Sequence, residues 1–208
     1  YKNEQRLKID INNPHVMKVI AVSGTPGTGK TTLSKKLAKK LNFSYLDVNE
    51  TIKKYKLSEG YDKKRKTNIV DVKKLNMALI KEINNFKKIN NKNSIKDSSI
   101  KKFFNKIKLI KNKKNNRNIK NGIIIDSHLS HYLPKKHVNL CIITKCGLKE
   151  LERRLKKKNY SKQKIRENLD AEIFDICLNE AKESRHKVIV INTTKDININ
   201  AVSRKLAV

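Results

Sequence analysis

The hydrophobic and polar positions of this chain change period several times, and each change marks an element. Lys18 to Val22 is an apolar, β-branched run that passes directly into the glycine-rich stretch Ser23 to Thr32, after which Leu33, Leu37, Ala38 and Leu41 recur at helical spacing. The pattern predicts strand, glycine loop and helix in that order. Phe43 to Val48 reads as a short second strand, and Glu50 to Tyr55 as a helix that stops near Gly60. From Asp71 to Phe86 the apolar residues Val72, Leu75, Leu79, Ile83 and Phe86 fall at three- and four-residue steps, so an amphipathic helix with a basic polar face is expected. Gly122 to Asp126 and Val138 to Thr144 have the continuous apolar character of strands covered on both faces. Lys149 to Lys158 and Lys164 to Glu183 read as helices, Lys187 to Asn192 as a last strand and Ile199 to Leu206 as a closing helix. Strands alternating with helices in this way predict a doubly wound α/β fold around a parallel sheet. There is no internal repeat.

Between Lys87 and Asn121 the composition shifts to Lys and Asn, with thirteen Lys or Arg against Asp97 alone and neither Gly nor Pro. This segment reads as an insertion within a single domain running from residue 17 to 208. Two forms fit it: a basic arm without fixed structure, or a helical hairpin with Ile100, Phe103, Phe104, Ile107 and Ile110 as its apolar face. Tyr1 to Val16 is a polar, charged extension without the apolar stretch of a secretory signal, and Met17 is a candidate start.

The chain has 208 residues, enough for one domain with a sizeable core. Fifty Lys and Arg against nineteen Asp and Glu give a formal charge of +31, which draws polyanions to the surface and makes phosphates and nucleic acid natural partners. A compositional bias toward Lys, Asn and Ile would raise the charge equally well with no function attached. Cys141, Cys146 and Cys177 are odd in number and irregular in spacing, and no apolar run approaches the roughly 18 residues of a membrane span. A soluble, cytoplasmic protein is expected, with no membrane partner.

Gly24-Thr25-Pro26-Gly27-Thr28-Gly29-Lys30-Thr31 matches GxxxxGK[ST] in full, with a strand before it and a helix after it. Glycines let backbone N–H groups curl around phosphate oxygens, and the helix N-terminus adds its positive end. Lys30 is placed to reach the β and γ phosphates of ATP, and Thr31 to give a hydroxyl to Mg2+, which prefers hard oxygen ligands. Asp126 ends the GIIID strand, where ligands of open α/β sheets bind, and can hold the magnesium ion through water; helix capping is the plainer use of such a residue. His128, two residues on, can orient or deprotonate an attacking group because imidazole titrates near neutrality; a loop histidine that is merely exposed is the plainer reading. His128, His131, His137, Cys141 and Cys146 do not have a usual four-ligand zinc spacing. Arg153, Arg154, Lys156, Lys157 and Lys158 crowd the end of one helix before Tyr160, where they either close over transferring phosphates or merely complement the helix dipole.

Together these residues resemble the adenylate kinase isoenzyme 6 type of protein, also called the coilin-interacting nuclear ATPase type. The resemblance runs from Met17 to about Thr194 without the insertion. Its marks are Thr25 to Thr32, Tyr61-Asp62 with Val70-Asp71, Asp126-x-His128 with Ser130 to Pro134, and Leu151 to Ile176. It implies a P-loop nucleoside monophosphate kinase fold with a five-stranded parallel sheet, a monophosphate-binding region at about 48–70 and a lid at about 157–167. It also implies adenylate kinase activity on ATP and AMP, ATPase activity, and a part in small-subunit ribosomal RNA maturation, with a platform ribosomal protein as partner. Gly27, Gly29, Lys30, Thr31 and Thr32 match the family's ATP-binding positions, Asp126 and His128 its Walker B-like pair, and Lys195 a nucleotide-contacting lysine. The chain departs from the family at the lid, where Lys158-Asn159-Tyr160 stands for Arg-Gly-Tyr and the two-pronged arginine grip is lost unless Arg154 replaces it.

Overall fold

The computed structural model describes residues 17–63, 65, 67–94 and 120–206. Five strands form one wholly parallel sheet: β1 (Lys18–Ser23), β2 (Ser44–Asp47), β5 (Gly122–Asp126), β6 (Leu140–Lys145) and β7 (Val188–Asn192), in the order β2-β5-β1-β6-β7. The five-stranded, doubly wound arrangement expected from the alternation of periods is present. β1 lies at the centre and is buried along its whole length, as is β5, which accounts for their unbroken apolar runs.

The two faces of β1 show how the layers are filled. Val19 and Ala21 point to one core with Ile123 and Ile125 of β5 and with Leu75, Leu79 and Ile83 of α3 (Val72–Ser94). Ile20 and Val22 point to the other, against Leu33 and Leu37 of α1 (Lys30–Leu41) and Val202 and Leu206 of α7 (Ile199–Leu206). A smaller cluster of Cys146, Leu151, Leu155 and Ile165 packs α4 (Leu148–Lys157) on α5 (Lys162–Ile173). Val22 pairs with Asp126, so the carboxyl ends of β1 and β5 emerge side by side.

Four features differ from the sequence reading. Helix α2 (Val48–Lys54) begins earlier than Glu50, because the Asp47 carboxylate accepts from Asn49 N and caps it. After it comes an antiparallel hairpin, β3 (Ser58–Asp62) and β4 (Thr67–Val70), which shows no apolar alternation because most of its residues are exposed. Helix α3 continues to Ser94, so the supposed boundary at Lys87 falls inside it. The single helix expected over 164–183 is two, α5 and α6 (Ile176–Glu183), separated at Phe174 and Asp175, with Asp175 in the left-handed region at φ 54°. Residues 1–16 and the supposed hairpin face from Ile100 to Ile110 lie outside the described residues.

Candidate active site

The loop between β1 and α1 owes its shape to glycines that other residues could not replace. Gly24 has φ 138°, and a Cβ there would meet the Thr144 carbonyl oxygen at 2.5 Å. Gly27 has φ 93°, and its missing side chain leaves room for Leu151 and Leu155, either of which would lie 2.9 Å from a Cβ. Gly29, also left-handed, leads into α1, whose first turn carries no acidic residue and no side-chain cap, so its N–H groups remain for an anion. Thr28 Oγ1 donates to the Thr25 carbonyl at 2.7 Å, and Thr193 Oγ1 donates to the Thr28 carbonyl at 2.6 Å, tying the loop to the end of β7.

Lys30 Nζ donates to the carbonyl oxygens of Gly24 and Thr25 at 2.8 and 2.9 Å, folded back on its own loop. Burial brings its pKa down from 10.5 to about 8, against the raising influence of Cys177, Asp126 and Glu172. A cavity of about 520 Å³ opens over the loop, and Gly27, Gly29, Lys30, Thr31, Thr32, Arg154, Lys158 and Lys195 all line it. Lys157, from the basic cluster at the end of its helix, is on the same wall, and sequence reasoning missed Lys36, Thr193, Asp196 and Ile197 there. The Thr193-Thr194 pair at the end of the last strand was the available signal. Arg154 is not a loose finger: its Nε donates to Glu150 at 2.7 Å and an Nη to the Thr193 carbonyl at 2.7 Å.

Asp126 and His128 do not line that cavity; they stand at the end of the neighbouring strand. Asp126 is 4% exposed, and Tyr45 Oη donates to its Oδ2 at 2.9 Å, a partner the sequence reading did not name. Burial and the Asp126 carboxylate push the Tyr45 phenol upward, so it remains a donor. Thr31, exposed on the cavity wall, and the Asp126 carboxylate are both hard oxygen donors, the set Mg2+ takes. His128 is exposed, yet desolvation, with Lys30, His131 and Lys164 adding to it, pushes its pKa below the usual imidazole value. The imidazole is thus neutral at pH 7 and is a weaker base than an ordinary histidine. This corrects the expectation that it titrates near neutrality.

Cys141 is fully buried in β6, and burial pushes its thiol up to about 12. Among the described residues the group within metal-ligating reach is another one, His131, Cys177 and Glu180, with ligand atoms within 4.8 Å of one another. Both ring nitrogens of His131 are already engaged, Nδ1 with Ser23 Oγ at 2.6 Å and Nε2 with Glu180 Oε2 at 2.9 Å.

A family model described as an AAA domain matches residues 20–175. A protein of Methanocaldococcus jannaschii named "Putative adenylate kinase" is 33% identical over 84% of this chain and 76% of its own length. The adenylate kinase isoenzyme 6 homolog of Dictyostelium discoideum is 27% identical over 93% of this chain and 90% of its own. Among solved structures, a "putative kinase" of Chloroflexus aurantiacus superimposes with a TM-score of 0.50 at 14% identity, over 91% of this chain and 96% of its own, a likeness of fold alone.

Proposed function

Because this chain belongs to the adenylate kinase isoenzyme 6 family, an adenylate kinase-like group of P-loop nucleotide kinases, we propose that it transfers the γ-phosphoryl group of ATP to AMP and also hydrolyses ATP. The observation that carries this reading is the curled loop of Gly24 to Lys30 under a cavity walled by Lys36, Arg154, Lys157, Lys158 and Lys195. The loop amides and the first turn of α1 receive the β and γ phosphates, and Lys30 leaves the Gly24 and Thr25 carbonyls to bind them. Thr31 and Asp126 would hold Mg2+, which would supply charge neutralisation for the transferring phosphates. Tyr45 fixes the Asp126 carboxylate in place. His128, neutral at pH 7, orients the acceptor phosphate or water by hydrogen bonding. Residues 48–70, covering α2 and the hairpin, take the monophosphate, and residues 157–167 form a lid in which Lys158 and the braced Arg154 share the work of the missing lid arginine.

Lys30→Ala is expected to abolish ATP turnover while the protein keeps its circular dichroism spectrum; a variant that still turns over ATP sinks the assignment. A second reading draws support from the formal charge of +31. In it, the protein is a cytoplasmic assembly factor that hydrolyses ATP on small-subunit ribosomal RNA or a platform ribosomal protein. ADP formation that requires AMP favours the kinase; hydrolysis stimulated only by RNA fragments favours the factor.

A further inference from the structure

Among the described residues two carboxylates are buried, Asp126 and Glu172, and the mechanism above uses only the first. Glu172 sits in the last turn of α5, on the stripe that also buries Ile165 and Asn168. Its Oε2 accepts the hydroxyl of Thr25 at 2.6 Å and its Oε1 the backbone N–H of Cys146 at 2.8 Å. Lys145 stands 3.5 Å from the carboxylate, donates to the Glu172 carbonyl at 2.7 Å and pairs with Asp175. The charge is therefore offset and both oxygens receive donors, which is what a buried carboxylate needs to persist.

Thr25 connects this group to the phosphate site. It is 2% exposed, and its carbonyl accepts from Thr28 N at 3.2 Å, Thr28 Oγ1 at 2.7 Å and Lys30 Nζ at 2.9 Å. The hydroxyl held by Glu172 and the carbonyl that parks Lys30 belong to one residue. We propose that Glu172 is a positioning residue of the phosphate cradle, acting through Thr25 to fix the curl of the loop and the approach of Lys30 to ATP. The proposal rests on the ATP-binding reading of the loop. Glu172 touches neither ATP nor the acceptor. It lies in the same helix as the proposed lid residues 162–167, so one carboxylate joins that helix to the loop. Its negative charge also favours the protonated form of Lys30.

Only donors meet the two oxygens of Glu172, so Glu172→Gln keeps the shape but sets an NH2 group against one of them and removes the charge. Thr25→Val keeps the shape of Thr25 and removes its hydroxyl, and Thr25→Ser restores it. KM for ATP, kcat, their pH dependence and the melting temperature are measured for each variant, for Thr25→Val/Glu172→Gln together and for Lys30→Ala. Thr25→Ser should recover most of what Thr25→Val loses. Thr25→Val and Glu172→Gln should each lose about tenfold or more in kcat/KM for ATP, and the double variant no more than the worse single one. The alkaline limb of kcat/KM should move to lower pH in Glu172→Gln and stay in place in Thr25→Val. Wild-type kinetics in Thr25→Val, or losses in the double variant that multiply, overturn the proposal even when melting temperatures fall. If Glu172→Gln fails to fold, the Thr25→Val and Thr25→Ser pair decides alone. Lys30→Ala separates the two layers: turnover surviving there defeats the ATP site itself, whereas an inactive Lys30→Ala beside a normal Thr25→Val defeats only the role of Glu172.

Discussion

Lys30 is held under two opposed influences. Burial favours its neutral form, and the carboxylates beside it favour its charge, leaving a pKa of about 8 where an unfolded lysine has 10.5. Between those two values the unfolded chain holds a proton that the folded one has released, so this group adds stability as pH rises through that window. Phosphate binding runs the other way, since the ammonium is needed and is lost above about pH 8. Affinity for a non-hydrolysable ATP analogue, measured by calorimetry, should hold from pH 6.5 to 7.5 and fall roughly tenfold per unit well above pH 8. A flat profile to pH 10 would contradict the lowered pKa of Lys30. Gly27→Ala places a methyl group 2.9 Å from Leu151 and Leu155 on a backbone at φ 93°, so it should reduce ATP turnover at least tenfold and lower the melting temperature. The glycine loop was legible in sequence because its turn demands glycines and a lysine at fixed spacing, and the place of Asp126 because it ends an apolar strand. Tyr45 and Glu172 were not singled out, since a tyrosine near a strand end and a glutamate in a charged helix carry no motif. For Glu172 a clue existed in its seven-residue spacing from Ile165, which places a charged residue on the buried stripe.

The sequence reading of the elements succeeded where burial imposes a period, and it missed an exposed hairpin and a break inside one helical stretch. The hairpin β3–β4 is exposed on most of its residues, so no alternation betrayed it. The break between α5 and α6 occurs without Gly or Pro; Lys145 binds the Glu172 carbonyl and the Asp175 carboxylate and holds the turn by contacts from β6, which local periodicity does not report. The hairpin and α5 meet where Arg65 makes a two-pronged contact to Glu167 at 3.1 and 3.2 Å. Both partners are too open to water for the pair to stabilise the fold appreciably. Its effect should fall on the acceptor side: Glu167→Lys should raise KM for AMP, by more at low salt than at high salt, with an unchanged melting temperature. The α4 helix has the opposite character. Leu151 is fully buried between Gly27 and α5, so Leu151→Ala should destabilise by about 2–5 kcal/mol, readable by urea denaturation, and loosen ATP binding with it.

At the scale of the whole molecule, the alternation of strand and helix sufficed to predict the parallel sheet, because strands covered on both faces have a distinctive composition. Charge is a weaker guide, because +31 fits a phosphate-handling surface and a biased composition alike. The two part in solution: affinity for a ribosomal RNA fragment should fall at least tenfold between 50 and 200 mM salt if several lysines contact its phosphates. An affinity independent of salt would remove RNA from the polyanions this surface attracts. The central position of β1 bears on synthesis as well. Both of its neighbours, β5 and β6, lie on the order of a hundred residues downstream. The glycine turn leaves the ribosome before they do, and its flanking strand has nothing to pair with until residues 122–145 have followed. Nascent chains halted before that point should carry the complete nucleotide motif and retain no ATP.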